Sequence, residues 1–130
     1  MTNLLKGMVA GLEGLVDPEA MLEVVATGST WSEGPLWIPA RGCLRWSDIP
    51  GNRIREYVRA TGVVTDYATE VEFTNGRTLD RDGSVVQCSH GRRRVERDRD
   101  GVVTTIVTQW NGRRLNSPNV CKEMGEAFER

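Results

Sequence analysis

The sequence predicts an all-β protein, the N-terminal part of a β-propeller carrying about two blades and the start of a third. Three observations lead there. From Glu33 onward, short runs of apolar and β-branched residues are separated by turns rich in Gly, Pro, Asn and Asp. A meander of four such runs occurs twice. The copies superimpose at an offset of about 42 residues, Glu33-Gly34 on Asn75-Gly76, Leu44 on Val86 and Trp46-Ser47-Asp48 on Cys88-Ser89-His90. A repeat of about 40 residues built from four strands is the pattern of a propeller blade.

Residues 1–23 are a lead-in, helical or irregular, and 24–130 the propeller part. Leu5, Met8, Val9, Leu12, Leu15 and Val16 have the mixed three- and four-residue spacing of a short amphipathic helix. Gly7, Gly11 and Gly14 weaken it, and Asp17-Pro18 ends it. Met21 to Thr27 reads as a strand and Gly28-Ser29-Thr30 as a turn. Blade 1 spans about 33–70. Its strands start at Leu36-Trp37 and then cover Cys43 to Asp48, Arg53 to Val58 and Val63 to Tyr67. Blade 2 spans about 75–110, with strands at Gly76 to Leu79, Ser84 to Ser89, Arg94 to Arg97 and Val102 to Val107. After a short contraction, Gly62-Val63-Val64-Thr65 falls on Gly101-Val102-Val103-Thr104. A third unit starts from about 116. Propellers have about four to eight blades, so the chain is expected to be the front of a longer protein.

The chain has 130 residues, enough for one domain with a buried core. Seventeen basic residues against 18 acidic ones leave a net charge of −1, which offers no argument for nucleic acid or membrane as partner. The N-terminal apolar residues are too interrupted for a signal peptide or a membrane span, so the cytoplasm is the expected location. Cys43, Cys88 and Cys121 lie far apart with no C-x-x-C pair; buried free thiols are expected rather than a disulfide framework or zinc site.

Glu33, Asn75 and Asn119 each stand at the start of a blade's innermost strand, where side chains approach the ring axis. Carboxylate and amide oxygens are hard donors suited to calcium or magnesium. No Cys or His shares that register, which argues against zinc. Each residue also has a plainer role: Glu33 as a solvated loop carboxylate, Asn75-Gly76 as a turn pair, Asn116 and Asn119 as turn residues around Ser117-Pro118. His90, the only histidine, ends a strand and reads as structural or as a rim residue. Arg92-Arg93-Arg94, with Arg97 and Arg99, is interleaved with Glu96, Asp98 and Asp100, the composition of a solvated outer strand. Trp31, Trp37, Trp46 and Trp110 read as core or channel-wall aromatics.

Four stretches together resemble the gluconolactonase branch of the senescence-marker-protein/gluconolactonase/luciferin-regenerating-enzyme family. They are Ser32-Glu33-Gly34-Pro35-Leu36-Trp37, the run from Leu44 to Ile54, Asn75-Gly76-Arg77-Thr78-Leu79-Asp80, and Arg114-Leu115-Asn116-Ser117-Pro118-Asn119. The resemblance covers about residues 24–119. It implies a six-bladed propeller that binds a divalent cation, usually calcium with magnesium or zinc as alternatives, at one end of its channel. It also implies hydrolysis of a small-molecule sugar lactone or related ester there. By resemblance Glu33 and Asn119 are metal ligands, and Arg114, Asn116 and Asn75 lie on the substrate side. The family's remaining ligands come from later blades. The family continues Asn-Asp after Ser-Pro and runs into an apolar strand; here Val120-Cys121-Lys122-Glu123 follows instead. The alternative functions are a non-catalytic propeller scaffold and an inactive truncated product. An Asn and an Asp opening the later blades would mark the enzyme.

Overall fold

The hairpins are closed by residues that tolerate positive φ. Between the last two strands of the second repeat, Asp100 (φ 53°) and Gly101 (φ 89°) form a two-residue turn whose mirror-image geometry matches the strand twist. The corresponding turn of the first repeat takes four residues between Val58 and Val63, with Gly62 at φ 69°. Asn52 (φ 49°) closes the tight turn before Arg53.

A computed structural model describes residues 14–17 and 19–119. Its first sheet contains β1 (Ser32–Ile38), β2 (Cys43–Asp48), β3 (Arg53–Val58) and β4 (Val63–Thr69), hydrogen-bonded in that order. The second contains β5 (Thr74–Leu79), β6 (Val85–Ser89), β7 (Arg94–Arg99) and β8 (Val102–Val107), again in chain order. All pairs are antiparallel. Two up-and-down four-stranded sheets packed face to face are propeller blades, as the repeat predicts. A 3-10 turn at Pro39–Arg41 links β1 to β2. A short hairpin, β9 (Gln109–Trp110) with β10 (Arg113–Arg114), follows the second blade and has no counterpart in the sequence reading.

The apolar core lies between the blades. Ile38 and Cys43 of the first pack with Val85 of the second, flanked by Leu36, Val58 and Leu79. On the far face of the second blade, Cys88 and Val95 form a second cluster that Leu115 covers from beyond β10. Farther out, the interface is polar. Arg45 Nε donates to Glu56 at 2.6 Å, its guanidinium lies 3.4 Å from the Tyr67 ring centroid, and it reaches Asp98 of the second blade at 3.7 Å. Asp98 also accepts from Tyr67 OH (3.2 Å) and Gly101 N (2.7 Å). Such buried ion pairs add little net stability but penalise misregistered packing.

Several expectations change. The expected helix lies largely outside the described residues, and among those described up to Leu22 there is none. Met21 to Thr27 forms no strand. Side chains of the first blade hold the end of this segment and the turn after it instead: Arg55 Nη1 donates to Thr27 O (2.7 Å), Arg53 Nη2 to Gly28 O (2.9 Å) and Trp46 Nε1 to Ser29 Oγ (3.2 Å). Strand propensity without a neighbouring edge leaves the backbone to other donors. The tail from Val120 onward, where the sequence departs from the family pattern, lies outside the described residues. Of the four tryptophans only Trp46 is buried; Trp31 and Trp110 are 64% and 63% exposed.

Candidate functional site

The site region is built from two β-bulges that face each other. In β1, Glu33 pairs with Ser47 and Leu36 with Arg45, so Gly34 and Pro35 stand opposite Trp46 alone. In β5, Thr74 pairs with Ser89 and Arg77 with Gln87, so Asn75 and Gly76 stand opposite Cys88. An extra residue bends the strand and re-aims its side chains. Glu-Gly-Pro suits this geometry because Gly34 takes φ +59° and Pro35 needs no ladder donor.

The pairing corrects the repeat alignment. Because Ser47 and Ser89 are equivalent, the counterpart of Glu33 is Thr74, and Asn75 corresponds to Gly34. By the same logic Val64, opposite Tyr57, matches Thr104, opposite Arg97, one residue away from the expected superposition. A one-residue slip exchanges the faces of a strand.

The bulges are also in contact. A Cβ on Gly34 would lie 2.5 Å from Asn75 O and 3.3 Å from Gly76 Cα, so only glycine allows the two backbones to approach this closely. Arg77 ties them together: Nη1 donates to Gly34 O at 2.7 Å and Nη2 to Ser47 Oγ, while Ser47 Oγ donates to Thr74 O. Arg77, Ser47 and Thr74 are all buried. Sequence reasoning missed this set. Its one sequence signal is an arginine inside an inner strand, two residues beyond Asn75.

Asp48 anchors the approach to Glu33. Its Oδ1 accepts from Thr30 N (3.0 Å) and Trp31 N (3.2 Å), and its Oδ2 from Arg53 Nε (3.1 Å) and Nη2 (3.0 Å). Burial alone would push this carboxyl up. The bonds from Trp31, Arg53 and Thr30 outweigh burial and hold it below its ordinary value.

Glu33 is half-buried and opens onto a cavity of about 400 Å³ lined by residues 23–29 together with Pro35, Leu44 and Trp46. Asn75 is 5% exposed, and its Oδ1 accepts from Gly76 N at 2.6 Å, so its side chain shapes the bulge. Arg114 and Asn116 line a groove beside the β9–β10 hairpin with Trp110 and Leu115. Asn116 and Asn119 are exposed on either side of buried Pro118. The backbone of this segment is anchored at Leu115, whose N donates to Thr108 O (2.9 Å) and whose O accepts from Arg93 Nε (2.7 Å). The structure thus joins Glu33 to Asn75 through their bulges and joins Arg114 to Asn116 through the groove. His90 is exposed, with its ring edge-on to Phe73 at 6.5 Å.

Among the described residues no group of three or more His, Cys, Asp and Glu is gathered closely enough to hold a metal ion. The donors near the bulges, one carboxylate plus amide and backbone oxygens, match a hard cation in kind but fall short of the six to eight oxygens calcium takes.

A family description headed SMP-30/Gluconolactonase/LRE-like region matches residues 31–128. The gluconolactonase of Zymomonas mobilis is 29% identical over 83% of this chain and 34% of its own length. The pentonolactonase XacC of Haloferax volcanii is 38% identical over 60% of this chain and 26% of its own. Among solved structures, the gluconolactonase XC5397 of Xanthomonas campestris superimposes with a TM-score of 0.69 at 41% identity, covering 74% of this chain and 32% of that one. The chain therefore spans between about a quarter and a third of the length of these relatives.

Proposed function

The chain belongs to the SMP-30/Gluconolactonase/LRE-like family, and on that premise we propose that it is the front part of a hydrolase that opens sugar lactones with the help of a divalent cation. The observation that carries this reading is the Glu33 bulge. It sets a half-buried carboxylate at the head of an inner strand, held against the next blade by Gly34 and Arg77. Glu33 and Asn119 are the proposed metal ligands, and Arg114, Asn116 and Asn75 the proposed substrate contacts. A bound divalent cation would polarise the lactone carbonyl and acidify a water.

The chain's own residues have narrower tasks. Arg77 and Ser47 fix the bulge backbones so that the Glu33 carboxylate is positioned before any ligand arrives, which lowers the ordering cost of binding. Arg114 offers a fork of donors to ring hydroxyls or to a developing carboxylate product, and the Asn116 amide can both donate and accept.

The test is complementation. The chain is mixed with the polypeptide corresponding to the remaining blades of the Zymomonas relative, and acid release from gluconolactone is followed in a pH-stat with added calcium. Activity of the mixture that Glu33→Gln lowers at least about a hundredfold supports the reading, because losing a metal ligand, or a residue that orients one, reaches this size. A mixture that is folded, assembled and inactive, or equally active with Glu33→Gln, refutes it and leaves the binding scaffold.

A further inference from the structure

A sheet is chemically incomplete at its edges, where a row of N–H and C=O groups lacks a partner strand. The two outermost strands treat this differently. β4 carries Asp66 in mid-strand, and Arg53 Nη1 (3.2 Å) and Arg55 Nε (3.5 Å) hold its carboxylate. Charge on an edge strand discourages pairing with other chains. β8, the outermost strand of the second blade, reads Val102-Val103-Thr104-Thr105-Ile106-Val107. Every residue is β-branched and none is charged, glycine or proline. Its first five residues are exposed, Val102 at 67% and Ile106 at 44%. This is the composition that pairs readily with a further strand.

We propose that β8 is a pairing edge for a second copy of this chain, the two β8 strands running antiparallel about a two-fold axis at Thr104. The two-residue turn at Asp100-Gly101 closes on Arg99 opposite Val102, the hydrogen-bonded pair of such a hairpin. Alternation along the ladder then makes Thr104, opposite Arg97, an inward-bonding residue and turns the backbone groups of Val103 and Thr105 to the open side. Outward-facing residues can pair only with outward-facing residues. With the axis at Thr104, Val103 therefore exchanges hydrogen bonds with Thr105 of the second copy. Thr104 stands opposite its twin, and Val102 reaches Ile106 of the second copy, the extra residue of a bulge at the end of β8. Threonine against threonine and aliphatic against aliphatic are favourable cross-strand pairs, and no like charges meet. The contact is isologous, so it closes as a dimer rather than growing into a fibre. The second blade then continues through the axis as one eight-stranded sheet.

Sedimentation equilibrium of the chain, of Thr104→Lys, of Thr104→Glu and of an equimolar mixture of the two variants tests this, with far-UV circular dichroism to confirm strand content. The wild-type chain is expected to dimerise. Each variant, placing like charges on the axis, should raise the dimer dissociation constant at least about tenfold. The mixture should recover dimer, because lysine then meets glutamate. A monomeric wild type, self-association that neither substitution weakens, or a mixture no better than either variant would overturn the proposal. Amide exchange provides a check that needs no variant: Val103 and Thr105 should gain protection as protein concentration rises, and unchanged exchange at both would count equally against it.

Discussion

Asp48 shows how one buried side chain can organise the approach to a site. It is 1% exposed and receives two backbone amides and the Arg53 guanidinium. Asp48→Ala would leave those donors unmet, and we expect a loss on the order of 3 kcal/mol in urea unfolding. Its pKa is lowered in the folded state, so its contribution is complete above the unfolded carboxylate range and is lost as pH falls through the lower folded value. As pH falls below the ordinary carboxylate range of about 4, the wild type should therefore lose more stability than Asp48→Asn does. Equal acid sensitivity of the two would remove Asp48 from this role. Gly34 makes a sharper case. Gly34→Ala combines a positive φ with a 2.5 Å approach to a backbone oxygen, and overpacking of that kind costs about 1–3 kcal/mol. An unchanged unfolding midpoint would mean that the two bulges do not touch.

At the scale of the element, β2 and the edge hairpins behave in opposite ways. β2 is almost wholly buried, and its Trp46 is 7% exposed between the first blade and the residues that precede it. Trp46→Ala should cost about 3–5 kcal/mol, the range for large aromatic truncations in a core. Trp110, on the β9–β10 hairpin and 63% exposed, should change stability by no more than about 0.5 kcal/mol when replaced by alanine. Comparable losses at both positions would contradict the burial pattern. The sequence treats the two tryptophans alike, since each reads as a core or channel-wall aromatic. Only the packing partner distinguishes them.

At the scale of the molecule, the chain holds two blades where its relatives are about three to four times as long. Among the described residues some large apolar side chains are exposed: Trp37 is 40% exposed and Val24 is 80% exposed. Each large side chain left in water forgoes roughly 1.5–3 kcal/mol, against a typical total of about 5–15 kcal/mol. We expect the isolated chain to melt broadly in calorimetry, and to associate in sedimentation, rather than behave as a tight two-state monomer. A sharp monomeric transition would show that two blades suffice. We also expect little or no lactonase activity from the chain alone, since one carboxylate and a few amides cannot complete an oxygen shell of six to eight. Turnover of gluconolactone at a full-enzyme rate with added calcium would contradict this.

The strands, the turns and the class of fold were legible in the sequence by itself. β2, β3 and β8 run over the residues that alternation and turn chemistry indicate, because those signals depend on a residue and its near neighbours. The Glu-Gly-Pro and Asn-Gly pairs likewise mark the two inner strands. What they do there was decided by the tertiary structure. Glu33 corresponds to Thr74 rather than Asn75 in the repeat because both inner strands carry the same bulge, while the loop from β5 to β6 is one residue longer than the loop from β1 to β2. Arg77 binds Gly34 and Ser47 across thirty or more positions of chain, and Met21 to Thr27 loses its strand because no edge lies beside it to complete its hydrogen bonds. Register, cross-sheet ties and the choice of partner depend on groups far apart in sequence, and these become neighbours only once both sheets have formed.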